Sequence, residues 1–160
     1  MRVVSFRPLL AVAAAAGLVT ATAACEKPDF DRPSREAQVL QADSLLTPET
    51  FDTISWNDDN ERAFAGNNVF AARCRSCHGY LGDGITEYAR EHNLDVPSLV
   101  RSDFPYPDVP ALRRIIFTGH PAGMPTWGVS GIPPREIDAA AYYVLHVLRP
   151  EVSGNGLREK

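Results

Sequence analysis

Cysteine is scarce in this chain: there are three in 160 residues, and an odd count cannot be used up in disulfides alone. Methionine is scarcer still, since Met124 is the only one besides Met1. No second Cys/His pair at zinc-like spacing accompanies the one close pair of cysteines, so a structural zinc site would lack half its ligands. Apolar runs are short. The stretch Leu9 to Val19 falls below the roughly 20 residues that a membrane-spanning helix needs. Basic charge is in deficit, with 16 Lys and Arg against 20 Asp and Glu, which argues against nucleic acid as a partner. Alternating strand patterns, internal repeats and low-complexity segments beyond the N-terminus are missing. That absence removes the βαβ setting in which a Cys-x-x-Cys pair works as a redox dithiol.

What the chain does have is Cys74-Arg75-Ser76-Cys77-His78. Two thiols three positions apart, with a histidine directly after the second, form the attachment signature of a c-type haem. Each sulfur can add to one vinyl group on a haem edge. On a helical turn the next residue then projects toward the porphyrin face, where its imidazole can bind iron.

Such attachment happens outside the cytoplasm, and the N-terminus supplies that route. Arg2 and Arg7, the Ala-rich apolar stretch and the small residues Thr22-Ala23-Ala24 form the three parts of a secretory signal over residues 1–24. An uncleaved anchor would leave the domain on the same side of the membrane. Cys25 follows directly, where a bacterial lipoprotein signal places its lipidated cysteine, although Thr22 stands where leucine is more usual. The expectation is a lipid-anchored Cys25 at the periplasmic face, against a free thiol or a cysteine discarded with the signal. Beyond residue 24 the charge is −6, from 14 basic and 20 acidic side chains.

Residues 25–55 are polar and hold Pro28, Pro33 and Pro48. They read as a flexible tether or docking arm with one short helical piece around Glu36 to Leu46. A single folded domain is expected over 56–150, with a flexible tail over 151–160. Its class is all-α. One helix starts at Asn57-Asp58-Asp59 and runs toward the motif. A second spans Asp108 to Thr118, with Pro110 in its first turn, Gly119 as its cap, and Leu112, Ile115 and Ile116 as its apolar stripe. A third opens at Pro133-Pro134 and runs to Leu148, stopped by Pro150, with Ile137, Ala140, Ala141, Val144 and Leu148 at helical spacing.

A haem iron that shuttles electrons needs a sixth ligand. Met124 lies in the irregular stretch Gly123-Met124-Pro125-Thr126-Trp127-Gly128, where the following proline disfavours helix and presents the thioether from extended backbone. It is the expected ligand, and His120 in the same loop is its competitor. His92 sits among charges, and His146 lies near a helix end. A thioether favours ferrous iron and raises the potential relative to bis-histidine ligation.

Together these residues resemble the class I c-type cytochromes of bacterial electron transfer, over about residues 60–149. Cys74 through Gly84 is similar to their haem-binding segment. Ile116-Phe117-Thr118-Gly119 with Met124 through Gly128 is similar to their distal-ligand segment, and Gly66, Phe70 and Tyr143 to their terminal-helix crossing. The resemblance implies the cytochrome c fold, three main helices around one covalently attached haem c. It also implies a proline carbonyl near Val96-Pro97-Ser98-Leu99 that orients His78. Tyr80, Trp127, Arg101, Arg113 and Arg114 are candidates for contacts with the haem propionates. The expected function is single-electron transfer between membrane-associated redox partners, not enzymatic turnover. The alternative is a fixed haem subunit of a respiratory or photosynthetic complex. A dithiol oxidoreductase, a zinc site and an open haem sensor or peroxidase are the readings from other classes.

Overall fold

A computed structural model of the chain describes residues 31–154. The signal, Cys25 and the last six residues lie outside the described residues, so the structure has no bearing on lipidation. Among the described residues there is no β-strand, and no helix is long and apolar enough to cross a membrane. The domain is all-α.

Helix α2, Asp59–Val69, starts where the acids predict, with the Asp58 side chain accepting from the Glu61 amide at 2.8 Å. It crosses α6, Pro134–Tyr143, in the most extensive helix pairing of the domain. Gly66 makes that crossing possible. A Cβ there would stand 2.1 Å from the Ala139 carbonyl oxygen and 2.6 Å from Tyr143 Cβ. Glycine in a helix costs about 0.5–1 kcal/mol relative to alanine, and here it removes an overlap that no side chain could tolerate. The Phe70 and Tyr143 rings close the crossing with centroids 5.6 Å apart. Helix α5, Val109–Thr118, lies against α6 and buries Leu112, Ile116 and Phe117. The predicted stripe of α6 and its continuation, Ile137, Ala140, Ala141, Val144 and Leu148, is buried throughout.

Two stretches differ from expectation. The segment expected as a tether belongs, from Arg32 on, to the same compact unit as the rest of the described chain. Helix α1, Arg35–Leu45, packs on α5 with Ala42 fully buried, and Asp43 meets Arg114 at 2.6 Å. A 3₁₀ turn, Pro48–Phe51, then brings the Phe51 ring edge-on to Phe117, 6.3 Å away.

The last helix also continues past Pro150. A π turn, Val144–Leu148, leads into α7, Arg149–Gly154, so that Pro150 falls in the first turn of a new helix. Val152, expected in a loose tail, is buried.

Candidate haem site

The motif is reached through a π turn, Phe70–Cys74, in which the Arg75 amide bonds back to the Phe70 carbonyl. A helix of 3.6 residues per turn that buries Gly66, Val69 and Phe70 would next bury Arg73 and Cys77. The π turn absorbs one surplus residue. The core-facing stripe therefore continues through Cys74 and His78, both partly buried, while Arg73 and Ser76 face solvent. Cys77 is partly buried at the flank of this stripe. Such insertions recur at functional sites, and this one turns both thiols and the imidazole inward. Neither residue periodicity nor cap chemistry announced it.

Cys74 and Cys77 are free thiols. Cys74 packs against the core, and burial, with the Cys77 charge adding to it, pushes its pKa up to about 12. The short helix α3, Arg75–His78, ends the motif. Behind it the chain is laced to the loop at 96–99. The Gly84 amide donates to the His78 carbonyl at 3.0 Å, and the Leu99 amide to the Gly82 carbonyl at 2.6 Å. Gly84, at φ 78°, leaves room for the Val96 carbonyl, which would lie 2.2 Å from any Cβ. Helix α4, Glu87–Glu91, follows in a stretch expected as loop, with Thr86 as its cap.

The loop at 96–99 carries the expected proline. Burial lowers the His78 pKa and favours the neutral ring, while the Pro97 carbonyl acts as an acceptor in the opposite sense. That contact falls short of full hydrogen-bond geometry, so Nδ1 is buried without a partner. In the loop after α5, Met124 and Trp127 are both partly buried and packed against the core cluster. The His120 amide donates to the Met124 carbonyl at 3.1 Å, closing the loop into a single bridge.

His120 is exposed, and its Nδ1 accepts from the Ala122 amide. His92 and His146 are exposed as well, the first stacked on Tyr88 and the second tilted against Tyr142. The arginines considered for the propionates are committed elsewhere: Arg101 to Asp103, Arg113 to Asp138, and Arg114 to Asp43. Tyr80 is exposed beneath the Arg75 guanidinium.

The residues present fit a covalently held haem. Two unpaired thiols and an imidazole share the core-facing side, the imidazole's remaining nitrogen is buried, and the thioether stands at the core. Periodicity did not announce Asp138, which is buried among the alanines of α6 and receives hydrogen bonds from Trp56, Arg62 and Arg113. Its signal was an acid inside an apolar stripe.

Fold and site together define a c-type cytochrome domain that binds haem c covalently. A family model described as cytochrome C oxidase, cbb3-type, subunit III matches residues 61–144, more than half of the chain, and the protein belongs to that family. The chain is also 32% identical, over 117 residues, to a cbb3-type cytochrome c oxidase subunit CcoP of Rhodobacter capsulatus. That match covers 64% of this chain and 37% of the relative, so the chain spans well under half of the relative's length. No solved structure matches.

Proposed function

We propose that the protein is a monohaem electron-transfer subunit, exported and held at the periplasmic face of the membrane, that works with a membrane redox complex. Cys74 and Cys77 anchor the haem, His78 and Met124 are its axial ligands, and Cys25 carries the lipid. Haem c, when bound, supplies the one-electron ferric/ferrous couple. The chain orients the imidazole through the loop at 96–99 and keeps the distal loop closed. The observation that carries this reading is the inward turn of Cys74, Cys77 and His78. Met124 is partly buried against the core, while every rival histidine is exposed.

The exported chain is expected to have the mass of polypeptide plus one haem after denaturation. Met124→His is expected to lower the midpoint potential and remove the iron–sulfur charge-transfer band of the oxidised form. An unchanged spectrum would move the ligand role to His120. The relative is a subunit of an oxidase, which favours the fixed-subunit form over a free carrier. Purification from native membranes tests this: the protein should co-elute stoichiometrically with a larger redox complex, and a monomeric lipoprotein alone would restore the free carrier.

A further inference from the structure

The N-terminal segment of the described chain lies outside the stretch that matches the family model, yet it reaches Gly123 of the methionine loop at one end and the Phe117 ring of α5 at the other. At the near end, Arg35 opens α1. Its guanidinium nitrogen lies 3.7 Å from the point where a side chain on Gly123 would begin, one residue before Met124. Leu94 stands on that same point at 2.9 Å, so Arg35 and Leu94 together cover the Cβ side of Gly123. At the far end, Phe51 meets Phe117 edge-on, and the Gly128 backbone comes so close to the Phe117 ring that a Cβ there would stand 2.2 Å from it. The Gly128 amide also donates to the Phe117 carbonyl at 3.1 Å. Between the two ends, Ala42 anchors the segment as the one buried residue of α1, and the Arg113 guanidinium covers the outer face of Phe51 at 4.5 Å.

Apart from the side chains of Met124, Thr126 and Trp127, which are wholly or partly buried, the loop has little else to hold it. It is irregular, and its internal backbone bonds are few: His120 to Met124, Gly123 to His120, and the turn at Thr126. We propose that residues 34–51 form a strap that clamps the methionine loop shut. Arg35 and Phe51 then act as positioning residues for Met124, acting through Gly123 and through Phe117 with Gly128. The proposal rests on Met124 being the sixth ligand. Its consequence is that the strap controls how readily an outside ligand displaces the thioether. The strap is also the part of the described chain nearest in sequence to Cys25, so a pull on the N-terminus would be felt at the distal ligand.

The test is a titration of the ferric, haem-loaded full-length protein with imidazole, followed by its visible spectrum. Wild type should bind imidazole weakly. Phe51→Ala should raise the affinity by about tenfold, as expected when a partly buried ring packed on the core is cut away. Phe51→Leu should recover most of the wild-type behaviour. Arg35→Ala, at an exposed position where folding is not at stake, should raise the affinity by a smaller factor. Val152→Ala, which loosens the core on α7 where that helix packs on the turn Val144–Leu148, should leave imidazole binding at the wild-type level. Met124→Ala should bind imidazole tightly.

If Met124→Ala binds tightly while the Phe51 and Arg35 variants match wild type, the strap is refuted and the ligand assignment stands. Val152→Ala gaining as much as Phe51→Ala would also refute the strap, by showing that general stability sets the exchange. If Met124→Ala matches wild type, the ligand assignment itself fails.

Discussion

Cys74 shows how one residue's surroundings set the protonation of a thiol. A thiol in water titrates near 8.5, and burial at the end of the π turn moves this one up to about 12. The folded, haem-free chain therefore holds its proton more tightly than the unfolded chain does. The stability that the neutral thiol contributes is fully present below about pH 8.5 and is lost as pH rises toward 12. The urea midpoint of the haem-free chain is expected to fall between about pH 9 and 11. Cys74→Ala should flatten that fall, and the difference between the two chains separates the thiol from Tyr142 and Tyr143, whose pKa values burial also raises. The haem-loaded protein should lack the same component, because a thioether has no proton to lose. An equal slope in all three would mean that Cys74 is solvated in solution.

At the scale of elements, legibility followed local chemistry. Asp58 and Asp108 cap helices where the sequence placed them, and Gly66, Phe70 and Tyr143 meet at the crossing that the family resemblance implied. The haem motif was legible because its spacing is dictated by the geometry of two vinyl groups and one iron. The π turns were not. A surplus residue leaves no mark in composition, and only packing on both sides decides whether a helix absorbs it as a bulge or breaks. Pro150 misled for a related reason: a proline rule that ends helices reads equally well as a rule that starts one. The strap was half legible. Its helix at Glu36 to Leu46 could be seen, but the burial of Ala42 depends on α5, some seventy residues further on. Polar, proline-rich composition alone pointed to a tether.

Across the whole molecule, one carboxylate joins what the helices bring together. Asp138 is 1% exposed and accepts from Trp56 at 2.8 Å, from Arg62 at 2.8 and 2.7 Å, and from Arg113 at 3.0 Å. Those donors come from the chain before α2, from α2 and from α5, while Asp138 itself rides on α6. The cluster thus ties the terminal-helix crossing to the helix that leads into the methionine loop. The fork of Arg62 is bidentate, the geometry in which a charged pair is strongest. Both arginines keep about a fifth of their side chains exposed, so their own desolvation is incomplete. Removing the shared carboxylate charge leaves two guanidinium groups facing each other with no counter-charge. Loss of one partner of a buried pair costs about 3–5 kcal/mol, and the partial exposure places Asp138→Asn near the lower end, at about 3 kcal/mol. Arg113→Gln alone should cost less, because Arg62 still neutralises the acid. In the Asp138→Asn background Arg113→Gln should cost little or even restore stability, since it removes one of the stranded charges. Urea unfolding of the four haem-loaded proteins measures this coupling. Additive losses would show that each arginine is stabilised by its own surroundings and that the carboxylate joins nothing.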